Sequence, residues 1–227
     1  MTVMEHLEEL RRRLLVCAAA VVVGAIVAYG AAGPIVRWLA RPVGRLVFLS
    51  PLEAFLAYVH IALVGGMVFA LPVVAYQLWR FVSPALTVRE RRWLAGGAVA
   101  SVALFVVGAA LAYVVVIPLG LRFLLGFSSE TVQPMISIGS YVSTVGWLLL
   151  AFGLAFQLPL VLLLLVVFGI VDPRQLSRAR PYAIVALFLI AAAVTPGPDP
   201  LSQIALAIPL WLLFELSLWL AQVVKHT

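Results

Sequence analysis

Charge is scarce in this chain, and it is missing over long distances. Only 11% of the residues are Asp, Glu, Lys or Arg, against 65% hydrophobic, whereas apolar residues approach half of a water-soluble domain. The stretches 14–32, 93–121 and 131–171 contain none of the four charged residue types. A helix needs roughly 20 apolar residues to cross a ~30 Å hydrocarbon core, and the second and third stretches exceed that. A soluble fold of 227 residues would have to leave large apolar patches in water, which excludes that class.

Other absences narrow the reading further. Cys17 is the single cysteine, so no intramolecular disulfide is possible. The three histidines, at 6, 60 and 226, are too scattered for a metal cluster. No His-Glu-x-x-His, Gly-x-Ser-x-Gly, Walker A or dinucleotide-binding loop occurs, so neither catalysis nor a cofactor is expected. The net charge of +6 does not mark a nucleic-acid binder, because its carriers sit in short clusters between the apolar runs. Three arginines precede the first run, but so do three glutamates, and no small-residue cleavage site ends it. That run is expected to stay as the first span rather than be removed as a signal peptide.

What is present organises into an all-α, polytopic membrane protein. Six spans are predicted at about 14–32, 55–79, 93–118, 141–171, 182–195 and 202–222, forming a single domain over 1–227 with no linker or internal repeat. With the N-terminus inside, the cytoplasmic segments hold Arg11, Arg12, Arg13, Arg80, Arg89, Arg91, Arg92, Arg174, Arg178, Arg180 and Lys225. The outside keeps Arg37, Arg41, Arg45 and Arg122. Lys and Arg accumulate on the cytoplasmic side, so both termini are expected there. Ser50-Pro51-Leu52-Glu53, Thr87-Val88-Arg89-Glu90 and Asp172-Pro173-Arg174-Gln175 have the pattern of a cap residue with a returning Glu or Gln. Asp199-Pro200 opens the sixth span. The fifth covers fourteen residues, only ~21 Å of helix, and should thin the bilayer or be shielded by neighbours. Prolines 72, 118, 159 and 209 should kink or bound their spans.

Polar groups within lipid are costly and therefore informative. His60 falls near the outer end of the second span, suited to an interfacial structural role. Gln157, beside Pro159, can bond a neighbouring helix or the backbone carbonyl that the proline leaves free. Gln203 begins the sixth span. Glu215 lies deeper along it and requires a cationic partner, water access or a proton. The N-terminal segment differs in kind: Met4, Leu7, Leu10 and Leu14 recur at helical spacing, with Glu5, Glu8, Glu9, Arg12 and Arg13 on the other faces. This describes an amphipathic helix running along the cytoplasmic interface into the first span. Glu8–Arg12 and Glu9–Arg13 are i,i+4 pairs in the favourable order, worth at most ~0.5 kcal/mol when exposed and cheaply displaced by an arginine-bearing ligand.

The order of short motifs then resembles one family closely. His6-Leu7-Glu8-Glu9-Leu10-Arg11-Arg12-Arg13-Leu14 is followed by Ser50-Pro51 with Glu53-Ala54-Phe55. Phe81-Val82-Ser83-Pro84-Ala85-Leu86 and Glu90-Arg91-Arg92 come next. Then follow Phe152-Gly153, Phe156-Gln157-Leu158-Pro159, Arg180-Pro181-Tyr182, Thr195-Pro196, Ser202-Gln203, Ala207-Ile208-Pro209 and Leu213-Phe214-Glu215. The joint pattern is similar to TatC, the multi-span receptor subunit of the twin-arginine protein translocase, over nearly the whole chain.

The resemblance implies a subunit of the prokaryotic cytoplasmic membrane that recognises twin-arginine signal peptides of folded precursors. It also implies assembly with single-span TatA- and TatB-type partners, self-association in a larger complex, and transport driven by the proton-motive force. By motif, the signal-binding acids correspond to Glu9 and Glu90, with Phe81, Pro84 and Arg91 on the same surface. The family's intramembrane polar position falls on Gln157, where many relatives carry Glu. Gln203 matches a partner-docking position, and Glu215 is a further intramembrane polar residue. Carboxylates accept guanidinium forks bidentately, which supports pairing acids with arginines. The alternative, a small-solute secondary transporter, predicts an internal repeat and broken helices around a midplane site. A purely structural scaffold would leave peptide binding unexplained.

Overall fold

An uncharged run can satisfy its backbone in lipid by forming helix or closing into a barrel, and the computed structural model is helical over most of the described residues of those runs. It describes residues 3–82, 94–126, 134–167, 169–194 and 200–226. Among them are α1 (Val3–Gly30), α2 (Ala32–Leu39), α3 (Pro51–Val82), α4 (Leu94–Leu111), α5 (Ile117–Leu125), α6 (Ile138–Ala155), α7 (Leu158–Val167), α8 (Pro173–Arg178), α9 (Arg180–Val194) and α10 (Pro200–His226). The described residues contain no strand, only a parallel bridge between Val47 and Ser137. Four stretches, Met4–Gly30, Pro51–Phe81, Gly96–Leu125 and Ile138–Val166, are long and apolar enough to cross a membrane. Arg180–Leu189 and Ala207–Trp219 are shorter apolar helices. The Thr87–Glu90 cap and the loop at 195–199 lie outside the described residues.

Packing divides the chain into two units. The first comprises Met1–Ala103 and Met135–Gly146. Its framework is the pair α1 and α3, held close by small residues, as van der Waals packing in lipid favours. A Cβ placed on Gly66 would lie 2.7 Å from the backbone nitrogen of Ala25 and 2.8 Å from the Val21 carbonyl oxygen, so nothing larger than glycine fits. A small core of Ala32, Ala57, Ile61 and Val142 joins α2, α3 and α6, and the Tyr141 hydroxyl donates to the Leu39 carbonyl at 2.8 Å. The buried Trp79 indole donates to the Ser101 hydroxyl at 2.9 Å, tying α3 to α4.

The N-terminal segment runs into the first span as one helix: it forms the first turns of α1, whose 28 residues extend ~42 Å. That exceeds the hydrocarbon thickness, so the helix must tilt or project from it.

The second unit comprises Leu104–Pro134 and Trp147–Thr227. Here two proline expectations meet different outcomes. Pro118 does not end its span. A π-helical turn at Ala112–Val116 precedes it, with the Ile117 amide reaching back to the Ala112 carbonyl, and the helix continues to Leu125. A single π-turn absorbs the register change that a proline without an N–H imposes. Pro159, in contrast, sits just past a real break. α6 stops at Ala155 and α7 starts at Leu158, so the predicted 141–171 span is two helices around a turn at Phe156-Gln157. Pro72 and Pro209 lie inside α3 and α10. α9 has 15 residues, ~22 Å, as short as expected. Ahead of it, Gln175 Oε1 accepts from the Asp172 amide at 3.3 Å, the returning contact of a capping box.

Candidate functional site

The cluster of most chemical interest forms where α1 begins and α3 ends. Glu9 and Arg13 are one turn apart on α1, and the Arg13 Nε donates to Glu9 Oε1 at 3.0 Å while its Nη2 pairs with the same oxygen. Arg13 Nη1 reaches across to α3 and donates to Gln77 Oε1 at 3.0 Å. This pair is therefore not the loose, exposed contact foreseen from spacing: the two side chains are only 14% and 21% exposed. Glu8 and Arg12 form no ion pair among the described residues. Arginine 13, committed to one carboxylate oxygen and to Gln77, leaves the other oxygen of Glu9 without a partner. Glu9 Oε2 is buried and has no hydrogen bond among the described residues. A buried carboxylate oxygen lacking a donor is expensive, and it marks an acceptor in want of one.

Two more groups complete this surface. The His6 ring stacks on Phe81 with centroids 4.5 Å apart, so Phe81 lies against α1 near Glu9. Arg80 donates to the Tyr76 hydroxyl at 3.2 Å and lies over its ring. Of the five residues assigned to peptide binding, the structure thus brings Glu9 and Phe81 together. Pro84, Glu90 and Arg91 lie outside the described residues.

The remaining polar positions fall in the second unit. Gln157 occupies the turn between α6 and α7, where its carbonyl accepts from the Leu160 and Val161 amides. Gln203 donates its side-chain amide to the Phe188 carbonyl on α9 at 3.1 Å, an internal bond that sequence did not foretell. Of the three provisions expected for Glu215, the structure shows a cationic partner, Arg180 at 2.9 Å.

One residue outside the predicted site, Glu53, has a carboxylate with three donors. Glu53 Oε2 accepts from the Leu49 amide at 2.8 Å, and Oε1 accepts from the Gly139 amide at 3.0 Å and from the Ser137 hydroxyl. It joins the start of α3 to the start of α6 beside the Val47–Ser137 bridge. Its capping pattern was legible, but the return reaches Leu49 rather than Ser50, and no local pattern could give partners 84 and 86 residues away.

Long apolar helices with polar clusters gathered at their ends and breaks define a polytopic helical membrane protein. The sequence model of the family described as Sec-independent protein translocase protein (TatC) matches residues 5–209. The chain is 38% identical to the protein of that name from Carboxydothermus hydrogenoformans, covering 99% of this chain and 94% of the relative. It is 39% identical to the one from Aquifex aeolicus, covering 98% and 95%, and 36% identical to that from Escherichia coli, covering 96% and 86%. A crystal structure of the twin-arginine translocase receptor TatC superposes with a TM-score of 0.85 at 39% identity, covering 97% of this chain and 99% of that one. The chain belongs to the TatC family and is a protein-transport subunit of the twin-arginine translocation pathway. These relatives are named for translocation, not for a catalysed reaction, and the small-solute transporter reading falls with this membership.

Proposed function

We propose that this chain is the receptor of its translocase: it recognises the twin-arginine signal peptides of folded precursors and nucleates the transport complex. The observation that carries the reading is Glu9, a carboxylate with one oxygen neutralised by Arg13 and the other buried with no donor among the described residues. A signal-peptide guanidinium supplies a planar donor fork for that oxygen, and the neighbouring Phe81–His6 stack offers an apolar and aromatic wall. By motif, Pro84, Glu90 and Arg91 belong to the same surface. Gln203 and Glu215 are assigned to docking of single-span TatA- and TatB-type partners or to intramembrane polar contacts, together with Gln157. Transport is driven by the proton-motive force.

The same reading places six spans in the prokaryotic cytoplasmic membrane as one domain, with α9 and α10 as the last two and both termini cytoplasmic. The eleven-to-four distribution of Lys and Arg supports that orientation. The test is photocross-linking with a twin-arginine peptide. A probe carried by the peptide beside its arginines should capture the segment around Glu9, and replacement of both peptide arginines by lysine should abolish capture. Equal capture of both peptides removes the receptor role from this surface.

A further inference from the structure

The first unit carries a second concentration of charge that the receptor reading does not use. Arg37, Arg41 and Arg45 lie on α2 and the turns after it, all three exposed, with no side-chain hydrogen bond or ion pair to a described residue. Helical bonding continues past α2, since the Ala40 amide reaches the Val36 carbonyl and the Gly44 amide reaches the Ala40 carbonyl, both at 2.8 Å. Arg37 and Arg41, one turn apart, are therefore neighbours on one face. No acid occurs between positions 10 and 52, and the nearby Glu53 carboxylate already accepts three donors.

The bland account is that these cations answer the C-terminal end of α2. A helix end carries only about half a negative charge, and its effect fades within the last turn. Three cations exceed it about sixfold, and Arg45 lies beyond Gly44, outside that turn. The location is also telling. α2 begins two residues after α1 ends, at the level where a crossing helix leaves the hydrocarbon. Trp38, Phe48 and Leu49 are exposed there, and aromatic side chains favour that boundary. On the topology proposed above, Lys and Arg are disfavoured on this side of the membrane, and yet three of its four are here.

We propose that this segment is a binding surface for the phosphodiester headgroups of anionic phospholipids of the phosphatidylglycerol type. The guanidiniums fork the phosphate oxygens while Trp38 and Phe48 lie against the acyl-chain boundary. Each basic residue near an anionic surface strengthens association about fivefold, so the surface prefers anionic over zwitterionic lipid by about tenfold or more.

The test uses the full chain in vesicles of phosphatidylcholine with a minor fraction of phosphatidylglycerol, one lipid or the other carrying brominated chains that quench tryptophan. The Trp38 signal is isolated by subtracting a Trp38→Phe variant, since the chain has six tryptophans. Brominated phosphatidylglycerol should quench Trp38 several-fold more effectively than brominated phosphatidylcholine. The triple variant Arg37→Gln, Arg41→Gln, Arg45→Gln should lose that preference, and the corresponding lysine variant should keep much of it. Should the glutamine variant fail to fold, salt decides instead: the preference must fall as sodium chloride rises. Equal quenching by the two lipids, persistence in the glutamine variant, or indifference to salt overturns the proposal. Loss of the preference on adding soluble glycerol phosphate assigns the surface to free phosphate and overturns the lipid as occupant. Anionic lipid is present in both leaflets, so the result does not depend on the orientation of the chain.

Discussion

Glu9 and Glu53 are the same residue in two conditions. Each lies near an end of the α1–α3 framework. Glu53 is filled: both oxygens accept, from Leu49, Gly139 and Ser137. Glu9 is half filled, with Arg13 on one oxygen and nothing described on the other. A saturated carboxylate is a fastening, whereas an unsaturated one is a receptor in search of a donor. The difference shows that chemistry at a site is set less by residue type than by how many donors the fold has already supplied.

The comparison breaks most visibly at Glu53. Glu53→Ala orphans two backbone amides and a hydroxyl, so the thermal midpoint of the purified protein should fall by on the order of 5 °C or more, with twin-arginine peptide affinity unchanged. An unchanged midpoint would show that water replaces the carboxylate and that no fastening exists. Glu9→Gln should do the reverse: peptide affinity, measured by fluorescence anisotropy, should drop about tenfold while the midpoint stays within a degree or two. Comparable affinity in this variant would leave Glu9 as the helical partner of Arg13 and nothing else.

A smaller effect sharpens the same contrast. Gln77→Leu removes a second acceptor of Arg13 and lets that arginine compete for the open Glu9 oxygen. Peptide affinity should fall by about threefold, and Gln77→Glu, which restores an acceptor, should recover it. The smallest effect belongs to a third glutamate. Arg180 and Glu215 are 47% and 30% exposed, so Arg180→Gln should cost no more than ~0.5–1 kcal/mol in unfolding experiments, without changing peptide binding.

Legibility followed sequence distance. The uncharged runs located the apolar helices, and the i,i+4 spacing located Glu9–Arg13. What spacing could not show was the third partner, Gln77, 64 residues on, which holds a further nitrogen of Arg13. Glu53 was read as a helix cap for the same reason: its local bonds were visible, its distant ones were not. Prolines were the weakest guide. Pro118 and Pro159 read alike in sequence, yet a π-turn carries one helix through while a two-residue turn interrupts the other. Which of the two occurs depends on the packing around the freed carbonyl, which no proline announces.

The length of α3 has a mechanical consequence. Its 32 residues reach ~48 Å without interruption, with Glu53 at one end and Gln77 and Phe81 near the other. Between them Gly66 abuts the backbone of α1, about 20 Å from the first and about 17 Å from Gln77 along the axis. Such a rod holds the two carboxylate sites at a fixed separation, with a close approach to α1 lying between them.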